Sequence, residues 1–323
     1  MLLSKTKYLL VGGLAVLLAA CGGSELDKKS AQDLYQQAVQ HLYAKDAQYN
    51  FKADMKVKIN IENPFFSDAK IKLSGAVNNS VQRYELVPEL ETEIFNFKLP
   101  ALIDVEKQEL LLDPSNVLEV LSLFALEKNT ELQQYKNKFV RFSIDNFEVD
   151  ESDMTEALTV FSEVVDIGYG ALSELTQSVP ESSIQKADLD DKAKDLGAKV
   201  VLHVKLDQQQ SKELQQHMHT YMYDKIKVSS KLPEDFKEGA MEALLNTDGD
   251  TGYESSESVI YLNEKGQIIH QSDVLTFEVE GDQINIVTAV NYSNYGNASF
   301  SINPSKDQIL DFTEKDRSML QAQ

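Results

Sequence analysis

One cysteine, no tryptophan and seven prolines in 323 residues leave this chain few covalent or conformational devices. Cys21 has no partner, so no disulfide within the chain can staple the fold, and a metal site of several thiolates is excluded with it. The fold must therefore rest on a core. With 42% hydrophobic residues, a chain of this length can bury one, as one large or two modest domains. Basic residues are also scarce: 31 Lys and Arg stand against 52 Asp and Glu, a formal charge of −21. A field of that sign repels phosphate backbones and anionic lipid surfaces, which argues against a nucleic-acid partner and against peripheral electrostatic membrane binding. The apolar run near the N-terminus, Tyr8 to Ala20, is 13 residues, short of the roughly 20 that a helix needs to cross the hydrocarbon core. Catalytic signatures are missing as well: there is no G-x-S-x-G, H-E-x-x-H or Walker A motif, so no enzyme and no cofactor is expected.

What is present begins with "MLLSKTKYLLVGGLAVLLAAC". Lys5 and Lys7, an uncharged stretch and small residues before Cys21 have the layout of a secretory signal. "LAAC", Leu18 to Cys21, resembles the lipobox of bacterial lipoproteins. That resemblance implies cleavage before Cys21 and a diacylglyceryl group on its thiol, with further acylation of the palmitate type. The alternative is an ordinary signal peptide with Cys21 as an incidental thiol. Two or more acyl chains hold a protein on a bilayer where one would not, at about 0.8 kcal/mol per buried CH₂. In that family an aspartate after the cysteine marks retention in the inner membrane; Gly22 stands here, which implies the outer membrane, facing the periplasm. The expected organisation is a signal peptide over 1–20, a lipidated tether over 21–29, a single ectodomain over 30–312 and a tail over 313–323.

Ser30 opens a helix, since "SAQD" has the form of a capping box and Leu34, Tyr35, Ala38, Val39, Leu42 and Tyr43 recur on one face. In "AQYNFKADMKVKINI" apolar residues from Ala47 to Ile61 alternate strictly with polar ones, which predicts a long strand with one wet face. "ENPFFSDA" turns the chain, and Ile71 and Leu73 return in phase. Further strands are expected at "QRYELVPEL", "TEIFNFKL", "ALIDV", "ELLLD" and "KFVRFSI". Helices are expected near 115–126, 152–177, 211–225 and 233–245, and "SIQKADL" and "AKVVLHVKL" read as strands joined by a loop. A meander follows from Ser258 to Gly296, closed by "SFSINP".

The order of helix, long antiparallel meander, helices and final meander resembles the family of LolA, LolB and the mycobacterial LppX-type lipoproteins, and "VIYLNEKGQII…VNYSNYG…INP" is similar to the LppX-type ending. The resemblance implies an α+β fold: a long, curved antiparallel sheet, a half-open barrel, with helices packed on its concave face. It also implies a cavity for a lipid or lipoprotein acyl chain between sheet and helices. Cavity residues are expected at Phe51, Ala53, Met55, Val57, Ile71, Leu73, Leu275 and Phe277, because a strand this long must curve and a curved sheet encloses more volume than a few helices readily fill. Phe65 and Phe66 sit at a hairpin tip, where turns are normally polar, and either touch lipid or cap the core. The rival expectation is a scaffold or interaction subunit of an envelope complex, with an envelope protein as its partner.

The remaining motifs point to structure. "GYGALS", from Gly168, approaches a dinucleotide fingerprint but lies within a helical pattern, where its glycines are expected to give a close helix-to-sheet contact. His217 and His219 are two apart on a helix and point apart, so no metal is expected there. "NTDGDTGYESSE" approaches a calcium loop, but Thr251 stands where the sharp turn requires glycine. His203 and His270 fall on polar strand phases and are expected to face water.

Overall fold

The computed structural model describes residues 25–59, 70–92, 95–123, 132–143, 151–246, 252–279 and 282–313. Cys21 with the apolar run before it, Phe65, Phe66 and the tail from 314 lie outside the described residues. Helix α1 (Glu25–Lys28) occupies positions read from the sequence as tether, because Leu26 inserts into the main core. Ser30 then caps α2 (Ala31–Tyr43): its Oγ accepts from the Asp33 N–H at 3.0 Å, and the Asp33 carboxylate accepts from the Ser30 N–H. The expected capping box is therefore formed.

Strict alternation makes β1 (Gln48–Ile59), and β2 (Lys70–Asn78) returns beside it with Ala53 opposite Leu73 and Met55 opposite Ile71. Next come β3 (Arg83–Glu91), β4 (Asn96–Lys98), β5 (Ala101–Asp104), β6 (Glu109–Leu112), α3 (Ser115–Leu123) and β7 (Phe139–Ser143). The 28-residue α4 (Glu151–Ser178) leads to β8 (Ile184–Ala187), α5 (Asp191–Leu196) and β9 (Val200–Leu206). Then α6 (Gln208–Val228) and α7 (Glu234–Asn246) precede the long strands β10 (Gly252–Leu262), β11 (Ile268–Val279) and β12 (Asp282–Ser293), with β13 (Ile309–Asp311) last. All 13 strands among the described residues belong to one sheet, ordered β13-β7-β6-β5-β3-β2-β1-β12-β11-β10-β9-β8, with β4 beside β3. The sheet is open, and antiparallel except where β13 runs parallel to β7. β1 pairs with β12, so the first and last long strands meet in mid-sheet. The architecture is α+β, as expected.

The main core lies on the inner face, where Leu34, Ala38 and Leu42 of α2, Leu214 of α6 and Val179 after α4 meet Tyr49, Val77, Leu202, Ile260 and Leu262. The outer face carries two smaller cores. The β8–β9 connection, expected as a loop, folds as α5 because Asp190 accepts from the Ala193 N–H at 2.6 Å and Gly197, at φ 69, ends it in the left-handed region. Ala193 then packs on Val201 and Tyr261. The second outer core is made by the segment after β12. "SFSINP", expected to close the meander, does so as a strap: Asn50 binds Ser299 through its side-chain amide and carbonyl groups, and Ile302 packs with Leu102 and Leu111.

His203 is exposed, but His270, although on the polar phase, is only 4% exposed, contrary to the expectation that it faces water. In unbroken register His270 stands opposite Tyr261 and Asn291 on the outer face, edge-on to the Tyr261 ring at 5.5 Å, where Asn291 Oδ1 (2.7 Å) and Ser272 Oγ (2.8 Å) satisfy both ring nitrogens. The phase is the polar outer one, as read; the outer core of Ala193, Val201 and Tyr261 covers it here, so a polar phase does not mean exposure.

Candidate functional site

Register brings the eight expected cavity positions onto one face. Phe51, Ala53 and Met55 stand opposite Gly75, Leu73 and Ile71 on one side and Tyr292, Val290 and Thr288 on the other. Val57 and Leu275 flank Ile286, and Phe277 stands opposite Ile284. The side chains of Val57 and Phe277 lie outside the described set. This is the face that carries the main core at its other end: Tyr49 and Val77 are each 7% exposed there. Farther along, the character changes. Phe51, Ala53, Met55, Ile71, Leu73 and Leu275 are all only half-buried, as are Leu90, Ile286 and Val290 around them. A continuous apolar surface spanning five strands thus keeps part of its area open on the inside of the sheet, while Lys52, Asp54 and Lys56 occupy the exposed outer phase. Alternation legible in β1 alone made this face; the open area is a property of how the helices are placed. α2 and α6 pack towards β8, β9 and β10, and α3 lies against β4.

A second concavity was not foreseen. Between α2 and α4, where the β2–β3 turn projects, the surface opens into a cleft of ≈ 770 Å³. Its floor is aromatic. Tyr43 and Tyr169 have ring centroids 5.5 Å apart, and the Tyr169 hydroxyl donates to Asn79 Oδ1 at 3.3 Å. Asn79 is itself held by its Nδ2, which donates to the Ala44 carbonyl at 2.8 Å. Burial raises the Tyr43 and Tyr169 phenols and pushes Tyr84 up to about 12, so all three keep their protons at any physiological pH. Gln36 and Gln40 from α2 and Asp166 from α4 line the same cleft. The signal that could have found it is the "GYG" of α4. Gly170 serves a contact between helices rather than with the sheet: a Cβ there would lie 2.3 Å from the Tyr221 hydroxyl of α6. Gly168 meets nothing, and Tyr169 between them faces the cleft.

Among the described residues no group of three or more His, Cys, Asp or Glu is placed to hold an ion. His217 lies 3.2 Å from Glu174 of α4, a helix-to-helix contact. The calcium-like stretch ends inside β10, where Glu257 stands opposite Lys205 and Val274, so its last position is strand and not loop. No helix among the described residues is long and apolar enough to cross a membrane.

No family model matches this chain, and no curated protein matches it. Among solved structures, a LolA superfamily protein from Nitrosomonas europaea is similar over 87% of this chain and 97% of its own, at 7% identity and a TM-score of 0.23. A structure of lipovitellin described by its lipid–protein interactions is similar over 81% of this chain and 26% of its own, at 7% identity and a TM-score of 0.23. A beta-barrel-like protein of the domain of unknown function DUF1849 from Brucella abortus covers 76% of this chain and 98% of its own, at 7% identity and 0.19. Scores this low express a shared layout at most, so the functional reading rests on the geometry of this chain.

Proposed function

We propose that this chain is an envelope lipoprotein, anchored through acylated Cys21 in the outer membrane on the periplasmic side, that holds an apolar ligand, a lipid or lipoprotein acyl chain, against the inner face of its sheet. It acts by binding and not by catalysis. The observation that carries the reading is the half-buried apolar surface around Ala53 and Met55. Apolar area left open inside a fold is costly, at roughly 25 cal/mol per Å², and a flexible hydrocarbon chain offsets that cost without needing any polar partner. The anchor rests on the lipobox resemblance alone.

The test is Ala53→Trp. In a filled core, added bulk costs about 1 to 3 kcal/mol because neighbours are forced off their rotamers. In a ligand cavity the ring takes the place of ligand. The expected result is a nearly unchanged denaturation midpoint together with loss of the lipid that native mass spectrometry finds on the unmutated protein. A large loss of stability, with no lipid on the unmutated protein, would favour the second reading, an interaction subunit of an envelope complex. That reading has its own supporting observation: Val274 and Val287 are cross-strand neighbours on the outer face, 42% and 37% exposed.

A further inference from the structure

The cleft between α2 and α4 shares Tyr84 with the inner face of the sheet, beyond the half-buried apolar area, and has a different chemistry. We propose that it binds a neutral, hydroxyl-rich ligand of the carbohydrate class, a short glycan segment laid across Tyr43, Tyr84 and Tyr169. At ≈ 770 Å³ it falls within the range of specific small-ligand sites, roughly 300–1,000 Å³. Sugar rings present apolar C–H faces and a rim of hydroxyls, each both donor and acceptor. They therefore need flat apolar surfaces framed by groups of mixed hydrogen-bonding capacity. Tyrosine supplies both in one side chain. The amides of Gln36 and Gln40 offer donors and acceptors, and the carboxylate of Asp166 accepts from paired hydroxyls. Among the described residues, the side chains of Gln36, Gln40 and Asp166 and the Tyr43 hydroxyl make no hydrogen bond, so a ligand here would not have to break one.

Charge separates this class from its competitors. Lys45 is the one cation among the lining residues and Asp166 the one anion. A phosphate or carboxylate ligand would demand a cluster of Arg or Lys, which is missing from this wall. An acyl chain would cover the amides of α2 and give them no partner, a loss that the apolar inner face does not impose.

The experiment uses the full chain in a polyoxyethylene detergent, because a glycoside detergent would compete for the cleft. A tetramer of N-acetylglucosamine, a tetramer of glucose, inorganic phosphate and laurate are titrated calorimetrically. Asp166 and Gln40 are both exposed, so Asp166→Ala with Gln40→Ala tests the rim without disturbing the core. The expected result is saturable binding of at least one saccharide, weakened about tenfold or more in the double variant, whose denaturation midpoint is unchanged. Tyr169→Phe should retain most of that affinity, since the ring face remains. Absence of binding by both saccharides, or saccharide binding untouched in the double variant, would overturn the proposal. So would phosphate or laurate binding that the double variant abolishes. The reading of the inner face stands or falls separately, on Ala53→Trp.

Discussion

Glu85 shows what one buried charge can organise. It sits on β3, 3% exposed, on the outer face, and its two oxygens accept from the Ser301 N–H, the Ser301 hydroxyl and the Ile302 N–H at 2.6 to 2.7 Å. A buried carboxylate is tolerable only when its lone pairs are filled, and here the strap fills them with backbone donors that have no strand partner. Glu85→Ala is expected to strand those donors and cost about 1 to 3 kcal/mol in denaturant unfolding. Hydrogen exchange should rise at 299–304 and not at β9. A uniform rise across the sheet would mean that Glu85 is simply core. Nothing in "RYELVPEL" marks this residue, because its partners lie 216 and 217 positions away.

At the scale of elements, the outer-face helix α5 and the β10–β11 pair act together. Asp190 caps α5 and also accepts from the Tyr261 hydroxyl at 3.0 Å; Tyr261 in turn shields His270. Burial lowers the His270 imidazole below its ordinary value, and His41 on α2 is lowered for the same reason. When pH falls below about 6.5, the unfolded chain therefore takes up protons that the folded chain refuses, and stability declines towards acid. His270→Gln should remove part of that slope: between about pH 7.5 and 5.5 the variant's denaturation midpoint should fall less than that of the unmutated protein. Equal slopes would show that His270 protonates freely when folded.

For the whole molecule, the aromatic packing that seals one end of the sheet sets an alkaline limit. Tyr49 lies within 6.0 Å of Tyr292 and Tyr295, centroid to centroid, and the Tyr295 hydroxyl donates to the Ile268 carbonyl at 2.6 Å. Burial pushes Tyr35 up to about 12 and raises Tyr49, Tyr292 and Tyr295 further. Phenols raised in the folded state contribute stability that is complete below the ordinary value of about 10 and is lost as pH climbs above it, because the unfolded chain ionises first. The denaturation midpoint is accordingly expected to drop steeply between about pH 9.5 and 11. A flat profile would mean that these hydroxyls reach water. This sealed end and the half-buried apolar area around Ala53 and Met55 are two parts of one sheet face.

The sequence by itself determined what depends on near neighbours. Strict alternation made β1 and its apolar phase, Ser30 and Asp33 closed the cap of α2, and the β10–β12 meander followed from its turns. Such features are decided within a few residues by backbone geometry and by which face must be buried. Short local devices were harder to see. Asp190 and Gly197 bracket α5 as cap and stop, but six residues are too few for a helical period to show. Tertiary structure alone decided the rest: the burial of His270 beneath the outer core of α5, the strap held by Glu85, the open part of the inner face, and the cleft where Tyr43, Tyr84 and Tyr169 converge from α2, β3 and α4. Each depends on groups far apart in the chain, whose meeting is set by how the helices seat on the sheet, and no local pattern records that.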